Sequence, residues 1–198
     1  MSPLEAIGAA LGLLNQWLTI RQKIWCWPIG IASVFVYIFV FYDARLYSDM
    51  LLQVVYVALQ LYGWANWIKL RHTPAGTPHR ILAVSRLRPR DWAIVVVSIV
   101  ALALLLGTLM GRFTGASYPF PDATATVLSL VAQYLQARKV LESWIIFLVA
   151  NLLFIGIYTV KELYLTVGLF TVITVMAVFG FLRWRQAYRG QGGSHVLN

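Results

Sequence analysis

The sequence predicts an all-α polytopic membrane protein with seven transmembrane helices, arranged as two parallel three-helix repeats joined by a linker helix. Three observations lead there. The 198-residue chain is 60% hydrophobic and 12% charged, whereas soluble domains are about half apolar and a quarter charged. Its apolar residues fall in uncharged runs close to the ~20 residues that cross a bilayer as a helix. Its two ends also repeat each other.

The spans follow in chain order. Ala6–Ile20 becomes a span once interfacial residues are included. The opening MSPLEAIGAA has no basic segment of the kind that marks a cleaved signal, so it reads as a retained helix. Ile24–Tyr42 carries no charge. Pro28 stands in its first turn, where proline is tolerated, and the lone Cys26 has no second cysteine to pair with. Met50–Ile68 is the third span. Residues 69–91 are basic and hold Pro74, Gly76, Pro78 and Pro89, which reads as a solvated cytoplasmic linker, with contact to anionic lipid as the lesser reading. Trp92–Gly111 is the linker span, Ala123–Ala137 a short span like the first, and Ser143–Val160 and Leu163–Leu182 close the series. The ending GQGGSHVLN reads as a disordered tail. The expected division is a first repeat at 1–70, a basic loop and linker helix at 71–115, a second repeat at 116–188 and a tail at 189–198. A transmembrane β-barrel would alternate apolar and polar residues in short segments, and this chain does not.

A formal net charge of +9 raises nucleic acid as a partner, but the placement of the charge argues for a membrane. Seven spans divide the loops between two sides. One side carries Arg21, Lys23, Lys69, Arg71, Arg80, Arg86, Arg88, Arg90, Arg138, Lys139, Arg183, Arg185 and Arg189. The other carries Arg45, Arg112 and Lys161. Positive charge collects on the cytoplasmic side, so the C-terminus is expected inside and the N-terminus outside.

Residues 16–67 align with 133–184 without a gap. Gln16 falls on Gln133, Arg21 on Arg138, Trp27 on Trp144, Leu46–Tyr47 on Leu163–Tyr164, Gly63 on Gly180 and Trp67 on Trp184. Each unit holds three spans, and one span separates them. The units therefore start on the same side and are parallel repeats, a plan that usually encloses a substrate site near the membrane midplane.

Polar residues draw two stripes through these spans. Asp49, Gln53, Tyr56 and Gln60 follow i, i+4, i+7, i+11 and share a helical face. Asp122, Thr126, Ser129, Gln133 and Gln136 repeat the spacing. Facing lipid would be costly, so both stripes belong inside the bundle. Asn151 and Tyr158 add polar groups to the sixth span, with Trp144 a heptad before Asn151. Each feature also has a plainer reading. Asp49 and Asp122 stand at helix starts and could serve as caps. Gln53, Gln133 and Asn151 could bond helix to helix. Trp67, Trp184 and Tyr188 fit an interfacial aromatic belt, and Trp27 and Trp144 fit either a belt or a site. Glu142 reads as a surface pair with Arg138 or Lys139.

Catalytic and cofactor signals are missing. His72, His79 and His195 lie in the basic loop or the tail, with no cysteine or carboxylate cluster to make a metal site. No GxxxxGK[ST] stretch supplies a nucleotide-driven step. The expectation is a carrier without cofactor or metal, and not an enzyme.

The runs WCWPIGIASVFVYIFVFYDARLYSDMLLQVVYVALQLYGWANW and YPFPDATATVLSLVAQYLQARKVLESWIIFLVANLLFIGIYTVKELYLT resemble the first- and second-repeat signatures of PnuC-type vitamin transporters. The similarity spans about residues 4 to 187. The resemblance implies a three-one-three arrangement of parallel repeats akin to the SWEET sugar transporters, a homotrimer in the bacterial inner membrane, and facilitated uptake of nicotinamide riboside trapped by cytoplasmic phosphorylation. Relatives of the family carry thiamine or riboflavin. It places ligand contacts among Asp49, Gln53, Tyr56, Gln60 and Trp64 in the first repeat, and Asp122, Gln133, Trp144, Asn151 and Tyr158 in the second. Some relatives carry Asn where this chain has Ser143. Nicotinamide riboside and thiamine are both flat cations with polar tails. Aromatic faces attract such cations by about 1–2 kcal/mol when desolvated, and amide side chains suit ribose hydroxyls.

Overall fold

A computed structural model of the chain describes residues 3–43, 45, 47–71, 84–113 and 118–193. They form seven helices: α1 (Pro3–Ile20), α2 (Cys26–Asp43), α3 (Tyr47–Arg71), α4 (Pro89–Phe113), α5 (Pro119–Ala137), α6 (Ser143–Val160) and α7 (Tyr164–Gly193). Four of them, α2, α4, α6 and α7, are long and apolar enough to cross a membrane by composition alone. α1, α3 and α5 are more polar because they carry Asn15 and Gln16, Gln53 and Gln60, and Gln133 and Gln136. Of these, Gln60, Gln133 and Gln136 are buried within the protein, where lipid does not meet them.

α7 runs on through Gly193, into the segment expected as a disordered tail. Arg183, Arg185 and Arg189 stand in its C-terminal part, before its last turn. Residues 194–198 lie outside the described residues, as do His72, His79 and His195.

The chain divides into two compact units, Met1–Ala83 and Val84–Asn198. In the first, α1 packs on α2 and α2 on α3. Ser33 Oγ ties α2 to α1 by donating to the Gly8 carbonyl at 2.9 Å. In the second, α4 packs on α5, α5 on α6 and α6 on α7. α4, expected as a separate linker, thus shares a compact unit with the helices that follow it. The core of this unit gathers Leu128, Ala132, Leu135, Val140, Ile146 and Ala150, with Val95 and Ile99 of α4 against it.

The internal repeat is visible in the backbone. Gln22 and Lys139, which correspond in the ungapped alignment, adopt φ of 55° and 56° at the α1–α2 and α5–α6 corners. Arg45 and Glu162 correspond likewise and adopt 57° and 58°. None of the four is glycine, so each corner holds its residue in the sparsely populated left-handed region through the surrounding fold. The corners also share a stacked cation. Arg21 lies 4.2 Å from the Trp17 ring centroid, and Arg138 lies 5.8 Å from that of Tyr134.

The second unit has a feature of its own at the α5–α6 corner. Ser85 forms a parallel bridge with Val140. Its N–H donates to the Lys139 carbonyl at 3.0 Å, and its carbonyl accepts from the Leu141 N–H at 2.9 Å. Glu142 is 2% exposed and accepts from Arg86 Nε at 2.8 Å and from the Leu87 N–H at 3.0 Å. This corrects the expectation of a surface pair with Arg138 or Lys139. Lys139 is itself buried, with Nζ 5.8 Å from the Trp184 ring centroid. The end of the basic loop is therefore pinned to the protein and not a solvated strand of linker, although 72–83 lies outside the described residues. The carboxylate also holds the Arg86 guanidinium above its already high range, chiefly through their hydrogen bond.

Candidate functional site

Each unit contains a tryptophan wedged over a glycine. A Cβ built on Gly63 would overlap the Trp27 ring at Cη2, and one on Gly180 would lie 2.5 Å from Trp144 Cη2. Only glycine leaves room for these rings. A second tryptophan, one helical turn after each glycine, completes the arrangement. Trp27 and Trp67 meet edge to face at 5.3 Å and 82°, and Trp144 and Trp184 at 5.4 Å and 86°, a geometry aromatic pairs favour. All four rings are at most 2% exposed. Trp67 and Trp184 are therefore helix-packing residues and not the interfacial anchors expected of them. Hydropathy could not separate the two roles, because a tryptophan near a span end looks alike in both. The glycine four residues before each second tryptophan, in both repeats, was the available signal.

In the first unit the predicted stripe lies on α3. Burial increases along it: Gln53 and Tyr56 are half-buried and Gln60 is 4% exposed. Trp64 is half-buried. Asp49 falls within α3, but its side chain lies outside the described residues. Gln60 rests its amide on Gly30 of α2, where an added Cβ would come within 2.5 Å of Nε2. Gln60 Oε1 is buried without a hydrogen-bond partner among the described residues, as is Trp27 Nε1.

In the second unit the stripe lies on α5, where Ser129, Gln133 and Gln136 are buried. Ser129 Oγ donates to the Ala125 carbonyl at 2.9 Å. Asp122 is half-buried in the first turn of α5. The N-cap is Tyr118, and no side-chain capping bond is made there. The part of Asp122 in a cap is thus limited to charge at the positive helix end. On α6, Asn151 is 4% exposed and Trp144 fully enclosed. Tyr158 is half-buried in an aromatic group with Phe154 and Phe170, at centroid distances of 5.9 and 5.3 Å.

Four buried polar atoms of this unit have no hydrogen-bond partner among the described residues: Gln136 Nε2, Ser143 Oγ, Trp144 Nε1 and Asn151 Nδ2. Leaving such a group unpaired costs about 1–3 kcal/mol. Each of the four can donate a hydrogen bond. Each could serve an acceptor oxygen such as those of a sugar or a carboxamide. Gln136 and Ser143 share this unpaired state with Asn151 and Trp144; Gln136 was visible as the last position of the α5 stripe. Trp144 has its ring against Gly180 and Trp184, so its indole N–H, and not its ring face, is what it can offer. Among the described residues, no His, Cys, Asp and Glu side chains gather as a metal site.

A family model described as nicotinamide mononucleotide transporter matches residues 2–186. The chain is 27% identical to the nicotinamide riboside transporter PnuC of Escherichia coli (strain K12), over 97% of this chain and 89% of that protein. It is 31% identical to the riboflavin/roseoflavin transporter RibM of Streptomyces davaonensis, over 75% of this chain and 68% of that one. A crystal structure of the vitamin B3 transporter PnuC matches the fold with a TM-score of 0.75 at 26% identity, covering 94% of this chain and 82% of that one.

Proposed function

The chain belongs to the nicotinamide mononucleotide transporter family, a multi-pass membrane transporter family with bacterial members, and from that premise we propose that it carries nicotinamide riboside across the bacterial inner membrane. The reading is facilitated diffusion by alternating access, made one-way by phosphorylation inside the cell. The observation that carries it is the family match along nearly the whole chain, joined to buried donors that fit a ribose and a carboxamide. We place the N-terminus outside and the C-terminus in the cytoplasm, on the split of positive charge between the loops. The helices are read as two parallel repeats with α4 between them, and the assembly as a homotrimer.

The proposed substrate contacts are Gln53, Tyr56, Gln60 and Trp64 with Asp49 on α3, Asp122 and Gln133 on α5, and Trp144, Asn151 and Tyr158 on α6. Half-buried Trp64 keeps ring surface for a flat cation. The amides of each unit, Gln53 and Gln60 on α3 and Gln133 and Asn151 on α5 and α6, suit its polar tail. Thiamine shares that chemistry and is the second reading. Riboflavin is neutral, but the 31% identical relative is named for it, so it belongs in the test. The deciding experiment is flux into proteoliposomes holding only this protein, with labelled nicotinamide riboside, thiamine and riboflavin in parallel. Entry of nicotinamide riboside, competed by excess unlabelled compound, is expected. Entry of thiamine or riboflavin alone would reassign the substrate, and no entry of any of the three would overturn the transport reading.

A further inference from the structure

We propose a second binding site, for a phosphoryl anion, in the cavity where the pinned segment 84–88 meets the end of α7. The cavity has a volume of about 330 Å³ and is lined by Arg86, Leu141, Phe181, Arg185, Tyr188 and Arg189. That is the lower end of the range for small-molecule sites. Its charge is one-sided. Arg185 and Arg189 stand one helical turn apart on α7, and neither has an acidic partner among the described residues. Arg86 is oriented by Glu142, which engages its Nε and leaves the two terminal guanidinium nitrogens unbonded among the described residues. The Glu142 carboxylate is 2% exposed and already accepts from Arg86 and Leu87, so it does not neutralise the α7 pair.

Three guanidiniums against one carboxylate leave a local charge of +2. The planar, multi-donor guanidinium suits phosphoryl oxygens, which it binds with two parallel hydrogen bonds. The Tyr188 hydroxyl adds a donor, and Leu141 and Phe181 give the cavity an apolar floor. A phosphate monoester fits this lining better than a carboxylate, because three arginines can share its three unesterified oxygens, while a diester presents two of them. The same chemistry is offered by a soluble phosphorylated molecule and by an anionic lipid headgroup.

The test uses the full chain in neutral detergent, melted during titration with inorganic phosphate at ionic strength held constant with sodium chloride. A saturable rise in melting temperature is expected. In the Arg185→Gln/Arg189→Gln variant the apparent affinity should fall about tenfold or more. Arg183→Gln, on the same helix but outside the cavity, should leave it unchanged. Native mass spectrometry from bilayers of phosphatidylcholine with phosphatidylglycerol separates the sources. Retention of phosphatidylglycerol that phosphate displaces, and that the double variant loses, identifies a lipid headgroup. Phosphate binding without lipid retention identifies a soluble phosphate ester. Equal phosphate affinity in wild type and double variant, or no saturable effect of phosphate and no retained lipid, overturns the site. Should the double variant fail to fold, Arg189→Lys answers the question by keeping charge while losing the two-pronged contact. It should bind several-fold more weakly, and unchanged binding counts against the site.

Discussion

Gly180 fixes how near α7 comes to Trp144, and Gly63 does the same for Trp27. A methyl group at Gly180 would stand 2.5 Å from a fully enclosed indole, so Gly180→Ala must displace the ring or the helix. Overpacking of this kind costs about 1–3 kcal/mol. Melting of detergent-purified protein should show the loss, and a Trp144→Leu background should remove most of it, because the two changes share one contact. Additive losses would show that the wedge is not what Gly180 serves. Asn151 and Gln136 make the opposite prediction. Their amide nitrogens have no hydrogen-bond partner among the described residues, so alanine removes no bond made there. Asn151→Ala and Gln136→Ala should melt within about 1 kcal/mol of wild type yet bind nicotinamide riboside about 1–3 kcal/mol more weakly by calorimetry. Gln53→Ala should weaken binding similarly. If these side chains instead bond helix to helix, stability falls and the folded remainder binds normally.

At the scale of elements, the α5–α6 corner depends on the segment before α4. Arg86 leaves the buried Glu142 carboxylate with one fewer donor when it is removed, and a stranded buried charge is more costly than a lost surface pair. Arg86→Ala should therefore lower the melting temperature more than Glu142→Gln, which keeps shape and an acceptor. Hydrogen exchange at the Ser85 and Leu141 amides should rise in both variants, since these amides close the bridge to the corner. An effect confined to distant helices would contradict this. The corner also shows what the sequence could and could not convey. Five of the helices were legible because their uncharged apolar runs have about the length a span needs, and the repeat because Trp27, Gly63 and Trp67 recur as Trp144, Gly180 and Trp184. The polar stripes on α3 and α5 were legible from helical spacing alone. The Arg86–Glu142 pair was not, because two charged residues far apart in the chain leave no mark on hydropathy or periodicity. Glu142 beside Arg138 and Lys139 pointed to the wrong partner for the same reason. The extension of α7 was hidden by a glycine-rich ending, Gly190, Gly192 and Gly193, which reads as coil.

Across the whole chain, charge is kept from the middle of every helix. Glu5, Asp43, Asp49, Asp91 and Asp122 all stand in the first or last turn of α1, α2, α3, α4 and α5, respectively. Lys69 and Arg71 end α3, Arg90 and Arg112 flank α4, and Arg183, Arg185 and Arg189 follow the apolar part of α7. None of the seven helices contains histidine, the side chain whose ordinary pKa lies nearest neutrality. A proton-coupled carrier needs a titratable relay near the midplane, and an ion-driven one a way to bind its ion together with the substrate. The polar groups away from the helix ends that are proposed as substrate contacts are amides, hydroxyls and indoles, which can bind a substrate without exchanging protons at physiological pH. The expected behaviour is therefore that of a facilitator. Proteoliposomes preloaded with unlabelled nicotinamide riboside should take up labelled compound with a transient overshoot, as exchange through one alternating site demands. Empty ones should stop at the external concentration. The initial rate should be flat across roughly pH 6 to 8, because the seven helices contain no histidine, and should ignore a protonophore. Sustained accumulation above the external concentration, collapsing when the proton or sodium gradient is dissipated, would overturn the facilitator reading and direct attention to Asp49 and Asp122 as the ion-coupling carboxylates.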